Sequence, residues 1–116
     1  MRSDRERLLD IQEAIAKIEQ HASGNIEAFA DDELQQVWVI HHLQIIGEAA
    51  YGLSQRFRAD NPQIPWDQII GMRHVLVHGY FEIDLDIVWA AIEKDLPPLK
   101  SAIEAILREN NDDSQG

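Results

Sequence analysis

The sequence predicts an all-α protein, an up-and-down bundle of four to five helices, and three observations carry that prediction. Apolar residues recur at spacings of three and four in several separate stretches, which is the helical period. The chain holds only six glycines and four prolines, and the residues between them are mostly good helix formers. No apolar–polar alternation is long enough for a useful strand, and no internal repeat is visible. At 45% hydrophobic residues in 116, one domain with a real core is expected, and two are not. Residues 1–108 are assigned to that domain. Residues 109–116, polar and acidic, are expected to form a disordered tail.

The elements follow in order. Ser3-Asp4-Arg5-Glu6 fits a capping box, with Ser3 accepting from the backbone N–H of Glu6. Behind it Leu8, Ile11, Ile15 and Ile18 form one helical face, and the first helix is expected to end near His21. Ser23-Gly24-Asn25 reads as a turn. A second helix is expected from about Asp31 to Leu53, with Asp31, Asp32 and Glu33 at its dipole-favoured start. Its faces are Leu34, Trp38, His41, Ile45, Glu48 and Gly52 on one side, and Ile40, Leu43, Ile46, Ala50 and Leu53 on the other. A helix apolar nearly all round needs burial from two directions, and in so short a chain a second subunit is one candidate cover. Ser54–Ile64 reads as a polar connection. Pro65 suits the first position of a third helix spanning Trp66 to His78, weakened at Gly71 and followed by the natural terminator Gly79. Asp84 can cap a last helix whose face is Val88, Ile92, Leu96, Leu99, Ile103 and Ile106. Pro97-Pro98 lies inside that pattern, so a kink or two abutting helices is expected. Trp38, Trp66 and Trp89 are read as core residues.

Composition excludes some functions. With no cysteine there is no disulfide framework, no thiol catalysis and no thiolate zinc site. No apolar run approaches the ~18 residues of a membrane span, and the N-terminus is charged where a signal peptide would turn apolar. A soluble, cytoplasmic protein is expected. The net charge of −11 argues against broad nucleic-acid affinity. Its distribution softens that objection: between Gln35 and Tyr80, Arg56, Arg58 and Arg73 balance Glu48, Asp60 and Asp67. That neutral segment also holds His41, His42, His74 and His78.

The stretch from Pro65 to Trp89 carries the chemistry. Arg73 and His78 are separated by four residues, and Tyr80 follows His78 by two. This RxxxxHxY pattern, with IGEA at Ile46–Ala49, the Pro65-Trp66 pair and DLPPL in the last helix, resembles the HEPN superfamily in its HepT-like branch. The resemblance covers nearly the whole chain. It implies a metal-independent endoribonuclease toxin, without cofactor, whose homodimer places two Arg73–His78 pairs around a shared cleft. It further implies a nucleotidyltransferase antitoxin of the MntA kind that transfers AMP from ATP to Tyr80, and a structured RNA substrate such as tRNA. The alternative is a non-catalytic HEPN adaptor that dimerises and binds the same kind of partner.

Those residue types suit the reaction. Attack of a 2′-hydroxyl on the adjacent phosphorus needs a proton acceptor, a proton donor and a cation for the charged phosphorane. An imidazole exchanges protons near neutrality, and a guanidinium grips two phosphate oxygens. In an ideal helix, however, Arg73 and His78 stand about 140° apart. Either the chain turns at Gly79, or Arg73 pairs with His78 across a dimer. Each residue also has a purely structural reading. His78 can be a helix-terminal histidine, Arg73 an ion-pair partner of Asp67 or Glu82, and Tyr80 an aromatic packed beside Phe81. Glu48, in an apolar setting, needs a partner, for which Arg73 is a candidate; otherwise it is a rim carboxylate in solvent. His41 shares its face and can border the same cleft. His74 either assists catalysis or lines the groove. A metal pair from His74 and His78 lacks a third ligand, so no metal site is assigned.

Overall fold

The computed structural model describes residues 2–22, 24–78 and 84–115, with the side chains of 74–78 and 110–115 outside the description. The described residues are helical with no strand. The long elements are α1 (Asp4–His21), α3 (Glu33–Gly52), α5 (Trp66–His78) and α7 (Leu96–Gln115). Short helices α2 (Ile26–Ala30), α4 (Gln55–Asp60) and α6 (Leu85–Ala90) lie between them.

The caps account for most starts. The Ser3 hydroxyl accepts from Glu6 N at 3.1 Å, while the Glu6 carboxylate accepts from Ser3 N at 3.2 Å, which closes the capping box. Asp32 caps α3 by accepting from Gln35 N at 3.0 Å. Asp84 caps α6 through Asp86 N and Ile87 N. Pro65 sits one position before the expected one: its carbonyl accepts from Ile69 N at 3.1 Å, so it closes the first turn from outside. Having no N–H to satisfy, proline is accommodated at either position.

Two connections contain helical turns that the sequence reading treats as irregular. Asn25 caps α2 by accepting from Ala28 N at 2.9 Å, after a turn in which Gly24 takes φ +88°. This turn places Phe29 fully in the core, tilted against Trp89 at 5.3 Å. Ser54–Ile64 is not a plain connection, because Ser54 caps α4 and is itself held by Asp4. These turns are too short for a periodicity signal; side-chain caps and buried anchors stabilise them.

The predicted break near Pro97-Pro98 takes the form of a π-helical turn, Ala91–Asp95, between α6 and α7. Two successive prolines remove two backbone donors, and a wider turn just upstream re-registers the ladder. Helix α7 continues to Gln115, so its backbone includes residues 109–115, which the sequence reading assigns to a tail.

Leu8, Ile11, Ile15 and Ile18 of α1 meet Val39, Leu43, Ile46 and Ala50 of α3, with Ile69 of α5 and Leu99 and Ile103 of α7 closing the core. Each large aliphatic among them contributes roughly 1.5–3 kcal/mol by burial. A Lys100–Glu19 ion pair at 3.0 Å ties α7 to α1 at the surface, and this contact raises the Lys100 pKa. Helix α3 is the central element, packed on α1 and α5. Its uncovered side keeps Leu34, Val37 and Tyr51 more than half exposed. No described helix is long and apolar enough to cross a membrane.

Candidate active site

Arg73 lies on α5 where that helix crosses α3. The crossing is close because Gly47 has no side chain: a Cβ there would stand 3.0 Å from Arg73 Cβ and 3.1 Å from Arg73 N. The IGEA segment thus supplies a seat for the motif arginine. From that seat Arg73 Nη1 reaches Glu48 Oε1 at 3.3 Å. Its Cζ also stands 4.1 Å from the centroid of the Tyr51 ring. Glu48 and Tyr51 are three apart on α3, so they present one carboxylate and one ring face to the same guanidinium. Arg73 is only one-fifth exposed, against three-fifths for Glu48. The cation is held on an ordered wall while its carboxylate partner stays reachable from solvent.

The expected Glu48–Arg73 pairing is therefore observed, and Glu82, the other carboxylate considered beside Asp67, lies outside the described residues. His41 is exposed two turns before Glu48. Both line a hollow of about 330 Å³ between α1 and α3, together with Arg7, Asp10 and Gln44. His42, beside it, is buried, with Nδ1 2.8 Å from the Trp38 carbonyl. Because a carbonyl only accepts, Nδ1 carries the proton. Trp38 is half-buried rather than in the core: its Nε1 donates to Lys17 O at 3.0 Å, and its ring meets His21 edge-on and His42 at a tilt. Trp66 and Trp89 are buried as expected.

Helix α5 is continuous as far as His78, so the backbone sets Arg73 and His78 about 140° apart around one axis. The side chains of His74 and His78, and the whole of Tyr80, lie outside the described residues. Among the described residues no group of three His, Cys, Asp or Glu side chains is placed to hold a metal ion.

Sequence reasoning did not single out Tyr51, Arg7 or the packing role of Gly47. Tyr51 had a usable signal, its i, i+3 spacing from Glu48. Gly47 lies in the IGEA segment but its contact does not show there, and Arg7 had no signal, since what each touches lies far along the chain.

The family model described as Ribonuclease HepT-like matches residues 11–106, more than four-fifths of the chain. The chain belongs to the HepT-like ribonuclease family. This HepT-like chain is 38% identical over 106 residues to a Thermococcus cleftensis protein named "Probable ribonuclease HepT", covering 90% of this chain and 96% of that one. It is 35% identical over 98 residues to a protein of Caldanaerobacter subterraneus subsp. tengcongensis named as an inferred RNase, covering 84% and 88%. No solved structure matches it. The matched span of the HepT-like chain includes His41, Glu48, Arg73, His74, His78 and Tyr80, and starts after Arg7.

Proposed function

We propose that this protein is the toxin of a toxin–antitoxin pair, an endoribonuclease that cuts RNA without a metal ion and acts on a structured RNA such as tRNA. The single observation that supports this most is the seating of Arg73 by Gly47, Glu48 and Tyr51. A cation for phosphate is oriented beside a solvent-reachable surface, in a chain of the HepT-like family.

In this reading a 2′-oxygen forms a bond to phosphorus while the bond to the 5′-oxygen breaks. The products are a 2′,3′-cyclic phosphate and a 5′-hydroxyl. One imidazole takes the 2′-hydroxyl proton and another protonates the leaving oxygen; Arg73 stabilises the charged phosphorane. One histidine does not readily fill both roles, so two subunits are required. The angle of about 140° between Arg73 and His78 favours the same arrangement. Across a homodimer, Arg73 of one subunit can face His78 of the other. The uncovered Leu34 and Val37, at the start of α3 and away from the Arg73 seat, are consistent with a further subunit.

Silencing follows from Tyr80. A nucleotidyltransferase antitoxin transfers AMP from ATP to the phenolic oxygen and releases pyrophosphate. The added phosphate places negative charge beside the cations that would otherwise hold RNA.

The test is induced expression of the wild type and of His78→Ala, each without a partner, followed by RNA analysis. Growth arrest with RNA fragments for the wild type only supports the reading. Cleavage by the purified protein must also persist in excess chelator. Normal growth with intact RNA from soluble, unmodified wild-type protein would instead favour the dimeric adaptor.

A further inference from the structure

We propose that Arg7 is a second phosphate-binding cation, forming with His41 and Gln44 an RNA subsite on the α1 side of Glu48. The inference rests on the ribonuclease reading and adds to it a residue that precedes the matched family span.

The first observation is a fit between two helices. Gly52, in the last turn of α3, lies under the Arg7 guanidinium; a Cβ at Gly52 would come within 2.1 Å of Arg7 Nη1. The C-terminal end of α3 favours a cation there, which explains the placement. The placement does not satisfy the side chain. Arg7 Nε is buried and has no hydrogen-bond partner among the described residues. No carboxylate among them lies within ion-pair distance of Arg7 either, although α1 is rich in acids.

The neighbouring carboxylates are all engaged elsewhere. Asp4 accepts from Ser54 N at 2.9 Å and from Ser54 Oγ at 2.7 Å. Glu6 accepts from Ser3, and Asp10 pairs with Arg2 at 2.7 Å. Glu48, across the hollow, is taken by Arg73 at 3.3 Å. Arg7 thus borders the hollow of about 330 Å³ with its Nε unpaired, beside the His41 imidazole and the Gln44 amide. The two carboxylates of the same lining, Asp10 and Glu48, are each paired with another arginine. A guanidinium, an amide N–H and an imidazole N–H around one opening are the donors a phosphodiester takes. Arg73 stands over Tyr51 and Arg7 over Gly52, neighbouring residues in the last turn of α3, so a strand held by one is led towards the other.

The test uses wild-type protein and a short 2′-O-methyl RNA, which has no free 2′-hydroxyl and so stays intact. Binding is followed by fluorescence anisotropy across a salt series, with a thermal melt of each variant. Arg7→Gln is expected to weaken binding about tenfold and to lower the magnitude of the log–log salt slope by about one. Arg7→Lys should keep the slope while losing part of the affinity, because a point charge replaces the fork. Gly52→Ala leaves Arg7 in the chain but displaces its guanidinium, and should weaken binding in the same direction with the fold intact. Wild-type affinity and slope in both Arg7→Gln and Gly52→Ala would overturn the subsite while leaving the ribonuclease reading standing. Weaker binding with an unchanged slope in Arg7→Gln would make Arg7 structural only. Failure of the wild type itself to bind RNA would overturn both.

Discussion

Gly47 and Arg73 meet at the point where α3 and α5 cross, so closely that a β-carbon on Gly47 would stand 3.0 Å from that of Arg73. The motif arginine is held by a missing side chain as much as by its ion pair. Its reach to Glu48 depends on that approach, because the 3.3 Å contact is already long and moving α5 outward takes it beyond hydrogen-bonding range.

Gly47→Val tests the seat. The branched side chain forces the helices apart, and overpacking of this kind costs about 1–3 kcal/mol. The urea midpoint should fall accordingly, and RNA cleavage at a temperature where the variant is folded should drop about tenfold or more. A variant as stable and as active as the wild type would mean that the two helices do not approach this closely in solution.

Glu48→Gln separates stability from binding. Because Glu48 is mostly exposed, loss of the ion pair should change stability by less than about 1 kcal/mol. Removing the carboxylate also removes the competitor that occupies Arg73, so affinity for a 2′-O-methyl RNA should rise. Anisotropy titration reads this directly; weaker binding would show that Glu48 orients the guanidinium more than it competes for it.

Gly71→Ala should stabilise the protein. Gly71 is inside α5, and an added Cβ there meets nothing within 4 Å. The gain in helix propensity is about 1 kcal/mol, seen as a higher urea midpoint. An unchanged or lower midpoint would indicate that the apolar hollow it borders, lined by Leu43, Met72 and Val88, is filled in solution.

The capping box predicts an acid limb. Hydrogen bonds from the Ser3 backbone, then from its hydroxyl, lower the Glu6 pKa below the ordinary 4.5. A depressed carboxylate stabilises the fold above its unfolded pKa, and that contribution is lost as pH falls through the folded value. Wild type should therefore exceed Glu6→Gln in stability at neutral pH, and the gap should close on acidification below the folded pKa. Chemical denaturation at a series of pH values checks it; a gap independent of pH would mean that the ionised carboxylate plays no part.

Much of this molecule could be read along the chain. Ser3, Asp32 and Asp84 mark helix starts because capping depends on residues three apart, and the aliphatic faces of α1 and α7 follow from a local period. The short helices α2 and α4 escaped notice because one turn has no period to detect; Asn25 and Ser54 were visible but have turn readings as well. The pairing of Glu48 with Arg73 was legible only as a need for a partner. Trp38 was misplaced in the core because an indole can bury its body and still keep a wet edge.

By itself the sequence determined the all-helical class, the caps and the Arg73-to-Tyr80 motif with the family to which it points, since all of these are set by neighbours within a few residues. Only the tertiary structure decided that Arg73 meets Glu48 and Tyr51, that Gly47 is the seat, and that Arg7 lies over Gly52. Those relationships join residues more than twenty positions apart, through helix crossings whose distance is set by the smallest side chain between them rather than by any pattern along the chain.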